Sequence, residues 1–210
     1  MWEPPAVPPP HADPTRVRGA LGGALLYAQP RHAEVREGVL AHLAPPERRA
    51  FLEIGFDHGM KILDLARRHP ESLWLGVELR RRRVDAAAPH APTNCLLLRA
   101  DARALLASVL PPGRLSGIYI LFPTPSTNGR HLLLTPALVP LLGRALAPDG
   151  ALYLATDVEP YFRWAEGIFS AWGSGGAVPG TPVLSRRERV CARDGLPVWR
   201  ATWTPPKEDR

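Results

Sequence analysis

The segment FLEIGFDHGMKILDLARRHPESLWLGVELRRRR, Phe51 to Arg83, constrains the possible folds of this chain more than any other. Phe51 to Phe56 is a short apolar run that reads as a buried strand, with one carboxylate, Glu53, inside it. Gly55 and Gly59 bracket a turn. Ile62, Leu63, Leu65 and Ala66 then recur at helical spacing until His69-Pro70 stops the helix. Leu73 to Val77 is a second apolar run, closed by Glu78. Strand, glycine turn, amphipathic helix and strand make the opening βαβ unit of a nucleotide-type fold. The glycines let the backbone approach a ligand, and an acid after the second strand can accept hydrogen bonds from two ribose hydroxyls.

The remainder extends the same alternation. Cys95 to Leu98 is a third apolar run, followed by Asp101-Ala102, where an acid can accept from an adenine amino group. Helices are expected over Arg31–Leu43, Ala102–Leu110, Pro136–Ala147 and Val158–Trp172, with strands at Gly117–Phe122 and Ala151–Ala155. The last two strands are expected at Val183–Ala192 and Pro197–Trp203, joined by a turn at Asp194-Gly195. The fold class is therefore α/β, a seven-stranded Rossmann-like sheet with helices on both faces. Residues 1–18 are rich in proline and read as a disordered tail, leaving 19–210 as one domain.

Composition excludes several classes. No apolar run reaches the ~18 residues needed to span a membrane, and the N-terminus lacks the basic and apolar regions of a signal peptide. Cys95 and Cys191 are too few for a disulfide framework or a metal site, so a cytoplasmic protein with reduced thiols is expected. The formal charge of +6 suits a polyanionic partner, although the excess is almost all arginine, with lysine only at Lys61 and Lys207. Arg80 to Arg83 reads as a solvated helix face or, alternatively, as a phosphate contact.

The spacing Glu-x-Gly-x-x-x-Gly resembles the first motif of S-adenosylmethionine (SAM) methyltransferases, with Asp57 where the middle glycine usually stands. LFPTPSTNGRH (Leu121 to His131), ATD (Ala155 to Asp157) and SRRERVCARDG (Ser185 to Gly195) widen the likeness. Together with LEIGF and GVELR they resemble the bacterial tRNA (guanine-N7)-methyltransferase family over roughly residues 50–203. The resemblance implies SAM as cofactor, contacted by Glu53, Gly55, Asp57, Gly59, Glu78, Asp101, Ala102 and Phe122. It implies tRNA as partner, with Thr124, Asn128, Arg130, Asp157, Ser185 and Glu188 on the substrate side. For Asp157 a helix N-cap before Val158 is the alternative.

The chain departs from that family's pattern. Thr124 stands for an Asp in its catalytic centre, Ser126 for a Trp and Asn128 for a substrate-contacting Lys. Leu132 to Leu134 replace a basic run. Guanine N7 carries a free lone pair, so no general base is needed and no side chain is assigned one. The departures leave open a methyltransferase retargeted to a small nitrogen heterocycle or other non-tRNA substrate, or a non-catalytic relative.

Overall fold

The computed structural model describes residues 3, 31–126, 132–175 and 185–206. The proline-rich tail therefore lies outside the described residues, apart from Glu3. Seven strands form one sheet: β1 (Ala50–Ile54), β2 (Leu73–Glu78), β3 (Cys95–Arg99), β4 (Leu115–Leu121), β5 (Leu146–Thr156), β6 (Gly173–Ser174) and β7 (Trp199–Thr204). Their order is β3-β2-β1-β4-β5-β7-β6. The pairs from β3 through to β5 are parallel, and β7 runs antiparallel to both β5 and β6. The direction of winding reverses between β1 and β4, which opens a crevice at their C-terminal ends.

Strand alternation divides the core in two. Leu52, Ile54, Leu75, Val77, Ile118, Ile120, Leu152 and Leu154 pack on one face. They meet α1 (Arg31–His42), α4 (Ala102–Ser108), α5 (Val139–Ala145) and α6 (Glu159–Ile168). Phe51, Trp74, Cys95, Leu97, Tyr119 and Leu121 face the other way, onto α2 (Met60–Arg68) and α3 (Arg81–Ala87). Phe51 stacks on Trp74 with ring centroids 4.7 Å apart. The result is the helix–sheet–helix sandwich expected of near-continuous apolar parallel strands.

Two expectations need correction. The helix at Pro136–Ala147 is a 3-10 turn over Pro136–Leu138 continued by α5, and β5 already begins at Leu146. The closing hairpin does not form. Its expected first strand is a helix, α7 (Arg186–Asp194); residues 183 and 184 lie outside the described residues. Ser185 caps α7 by accepting from the Glu188 N–H at 3.3 Å, while the Ser185 N–H donates back to the Glu188 carboxylate at 2.8 Å. This capping box satisfies two helix-end donors, and Gly195 at φ 65° closes the C-terminus.

Gly76, in the middle of β2, lets α2 and the preceding turn lie flat on the sheet. A Cβ there would come within 2.6 Å of Leu97, 2.9 Å of Ile62 and 2.9 Å of Phe56. Gly76→Val is expected to lower stability by about 3 kcal/mol through overpacking, read as a lower urea midpoint with unchanged slope.

Candidate active site

Two cavities open at the crevice, of about 550 Å³ and about 470 Å³. Gly55, Arg80, Leu121, Phe122, Pro123 and Thr124 line both, so they are halves of one cleft. Glu78, Asp101 and Ala102 border the smaller half, Glu53, Asp57, Asp157 and Ser185 the larger.

The turn after β1 forms the floor. Gly55 adopts φ +77°, and a Cβ there would meet nothing within 4 Å, so the backbone is open to the cleft. Gly59 is also left-handed, but its Cβ would lie 3.1 Å from Ala87, so this glycine serves the approach of α3 and does not line the cleft. Asp57 occupies φ 49°, a conformation its short polar side chain tolerates. Its N–H donates to Glu78 at 3.2 Å, and the Arg80 N–H donates to the other Glu78 oxygen at 2.9 Å. These bonds fix a buried carboxylate at the end of β2.

Asp101 is the N-cap of α4 and accepts from the Arg103 N–H at 2.9 Å. The Arg103 guanidinium also reaches it, at 2.9 Å. The acid stands where the sequence places it, but it is already held by a local arginine.

Glu53 is 4% exposed, and one of its oxygens, Oε2, is buried without a hydrogen-bond partner. Burial raises its pKa to about 7, with the charges of Glu188 and Asp57 adding to the shift and Lys61 opposing it. Lys61, from α2, is the cation of this neighbourhood. Its Nζ lies 3.7 Å from Glu188 and 5.6 Å from the centroid of Tyr153. Arg200 of β7 donates to the opposite oxygen of Glu188 at 3.3 Å. Burial alone would raise the Glu188 pKa, but the Ser185 N–H, Lys61 and Arg200 outweigh it and hold it below the usual value. Glu188 therefore lies behind the cleft wall. Lys61 and Arg200 were not among the expected site residues. The local signal for Lys61 was a lysine on the apolar stripe of α2 in a chain otherwise built with arginine.

Asp157 does not cap α6. The N-cap is Val158, whose N–H bonds to Thr156 Oγ1 at 3.2 Å. Asp157 instead accepts from Arg187 Nε at 2.8 Å, which joins the end of β5 to α7. Phe122 takes φ 49° at the end of β4 while its N–H bonds to Ala155 O at 2.7 Å. The bond to Ala155 holds a non-glycine residue in the left-handed region at the cleft. Thr124 is exposed on the cleft wall. Asn128 and Arg130 lie outside the described residues. Leu132 and Leu134 are core residues, and Leu133 borders the smaller cavity.

A family model described as "Putative methyltransferase" matches residues 47–173. A tRNA (guanine-N(7)-)-methyltransferase of Anaeromyxobacter dehalogenans is 37% identical over 164 residues, 71% of this chain and 82% of that protein. One of Leifsonia xyli is 41% identical over 117 residues, 52% of each chain, so the match spans about half that relative's length. The crystal structure of the 16S rRNA methyltransferase KamB shares the fold at TM-score 0.59 and 16% identity, covering 81% of this chain and 94% of that one. A SAM-dependent methyltransferase from Aquifex aeolicus does so at TM-score 0.53 and 14% identity, covering 89% and 98%.

The raised Glu53 carboxyl sets a pH dependence. Between the ordinary glutamate value of 4.5 and about 7 the folded state keeps a proton that the unfolded state has lost, so stability falls as pH rises through that window. Glu188, shifted the other way, contributes stability that is lost only as pH falls below the ordinary carboxylate range. Glu53→Gln should therefore gain about 3 kcal/mol on wild type between the two ends of the Glu53 window, measured by urea denaturation at a series of pH values.

Proposed function

We infer that this chain, which belongs to the tRNA (guanine-N7)-methyltransferase family, methylates N7 of a guanine in tRNA with SAM as donor. One observation carries the reading. A single cleft at the switch point of the sheet is bordered by Glu53, Glu78 and Asp101, in or just after three successive strands, and by Asp157 and Ser185.

The residues present fit SAM. Glu78, oriented by two backbone N–H groups, suits the ribose hydroxyls, and Asp101 with Ala102 suits the adenine edge. The open backbone at Gly55 accommodates a ligand, and the unpartnered Glu53 oxygen suits the ammonium of the methionyl part. When bound, SAM supplies an electrophilic methyl group on a sulfonium sulfur.

The chain's own task is then alignment. The N7 lone pair needs no base, so holding the guanine in line is the main contribution, worth roughly 7–11 kcal/mol when geometry is good. Asp157 and Ser185 border the same half of the cleft as Glu53, where a base edge offering N–H donors can be held. A carboxylate there also stabilises the positive charge that methylation places on the base. Thr124 supplies no such charge, so Asp157 carries this role. Glu188 and Arg200 support the wall from behind, Lys61 borders the larger cavity, and Phe122 stands after β4 at the junction of the two halves. A tRNA substrate places the reaction in the cytoplasm; among the described residues no helix is long and apolar enough to cross a membrane.

A small heterocycle is the competing acceptor, but Leu132 and Leu134 are core residues and wall neither cavity for it. The arginines around the larger cavity favour a polyanion instead. Incubating the protein with SAM and unmodified tRNA, then digesting to nucleosides, should yield 7-methylguanosine by mass spectrometry. SAM binding without that product would overturn the reading. Glu78→Ala should weaken SAM binding by roughly 1.5–3 kcal/mol in calorimetry, the range for hydrogen bonds involving a charged group.

A further inference from the structure

Four arginines line the larger cavity: Arg80 and Arg83 from the segment opening α3, Arg186 and Arg187 from the start of α7. Three of them have a carboxylate each. Arg80 meets Glu78 at 3.4 Å, Arg83 meets Asp57 at 3.2 Å, and Arg187 pairs with Asp157. Arg186 has none among the described residues. Its Nη1 lies 2.7 Å from His58 Nε2, and Arg83 Nη1 contacts the same Nε2 while lying 2.8 Å from Nδ1.

Two guanidiniums thus converge on one imidazole. A neutral imidazole offers a single ring acceptor, whereas each guanidinium brings a planar fork of N–H donors. Cations gathered this way, with more donors than acceptors, make a place for an anion with several oxygens. The neighbouring arginines of the same run do not share it. Arg81 turns to Asp85 at 3.2 Å, and neither Arg81 nor Arg82 borders the cleft.

We propose that Arg83 and Arg186, bridged by His58 and anchored by Asp57, form the seat for a backbone phosphate of the RNA that delivers the guanine. The inference rests on the reading of an RNA acceptor above. It gives Asp57 a purpose in the turn where glycine would serve the cofactor alone: Asp57 fixes Arg83 from below, and His58 gathers both guanidiniums at one ring nitrogen. It also places the phosphate contact on α3 and α7, whereas Leu132 and Leu134 are committed to the core.

The test is binding of unmodified tRNA as a function of salt. Each phosphate contact contributes a slope of roughly 0.7–0.9 in log K against log salt. Arg186→Ala, which leaves the Asp57–Arg83 pair intact, and the Arg83→Ala/Arg186→Ala double variant should each lower that slope by about one and weaken binding about tenfold near physiological salt. Arg189→Ala on the same helix, an exposed arginine that does not border the cleft, should leave both unchanged. SAM titration and thermal melting of the same preparations separate loss of the seat from loss of the fold. Wild-type slope and affinity in a folded double variant would overturn the seat. Nucleoside analysis of the same mixtures reports on the reaction separately. Lost binding in the variants, with no 7-methylguanosine from wild type, would uphold the seat and overturn the methylation reading.

Discussion

The cleft depends on a buried ionic cluster. Lys61 on α2 sits against Glu188 on α7, within electrostatic reach of Glu53 on β1, and Arg200 on β7 closes the far side. Lys61, Glu53 and Glu188 are each less than a tenth exposed. Removing such charges from water costs several kcal/mol per ion unless partners replace the lost hydration. Each member therefore requires the others to be in place. That requirement ties elements far apart in sequence to the end of β1, so the turn of the cofactor side and the helix of the acceptor side cannot move independently. The cluster is costly as a source of stability and effective as a source of position. Its incomplete satisfaction is the buried Glu53 Oε2, in a residue that borders the larger cavity.

Much of the fold was legible because it is encoded at short range. Apolar runs at β1, β2 and β4, the helical stripe of α2 and the breaker at His69-Pro70 each report on their own neighbourhood. The closing hairpin was misread although a local signal was present. Ser185-x-x-Glu188 is a capping box, and it opens a helix. Reading Ser185 and Glu188 only as substrate ligands hid the more elementary use of the same atoms. Glu188 spends one carboxylate oxygen on the Ser185 N–H, a bond the spacing announces, and the other on Arg200, a bond it does not. The pairings of Asp57 with Arg83, and of His58 with Arg186, were illegible for another reason. The His58–Arg186 contact joins residues 128 apart in sequence and exists only once the sheet has brought α2 and α7 together.

Two non-glycine residues in the left-handed region, Asp57 and Phe122, flank the cleft just after β1 and β4, the two strands between which the winding reverses. Both are held by bonds that over-determine them. The Asp57 N–H is taken by Glu78, and the Phe122 N–H by Ala155 O. Such conformations typically cost about 1–3 kcal/mol and persist only where surrounding structure enforces them. Here they turn the chain sharply away from the sheet, which keeps the strand ends short and leaves room for the cavities. A straight exit from either strand would carry backbone across the space that Gly55 leaves open.

The charges of the cleft are matched in pairs rather than summed. Glu78 is met by Arg80, Asp101 by Arg103, Asp57 by Arg83 and Asp157 by Arg187. The pairs differ in burial: Asp57 and Arg83 are both partly exposed, whereas Glu78 and Asp101 are buried carboxylates met by more exposed guanidiniums. A ligand that offers hydroxyls or N–H groups to the carboxylate, and phosphate oxygens to the freed guanidinium, replaces one bond by two. An RNA nucleotide carries both kinds of group, whereas an uncharged heterocycle carries only the first. It would have to displace Arg187 from Asp157 and leave the guanidinium without an anion. On the proposed reading, an acceptor that brings no anion meets the cost of an abandoned Arg187 cation.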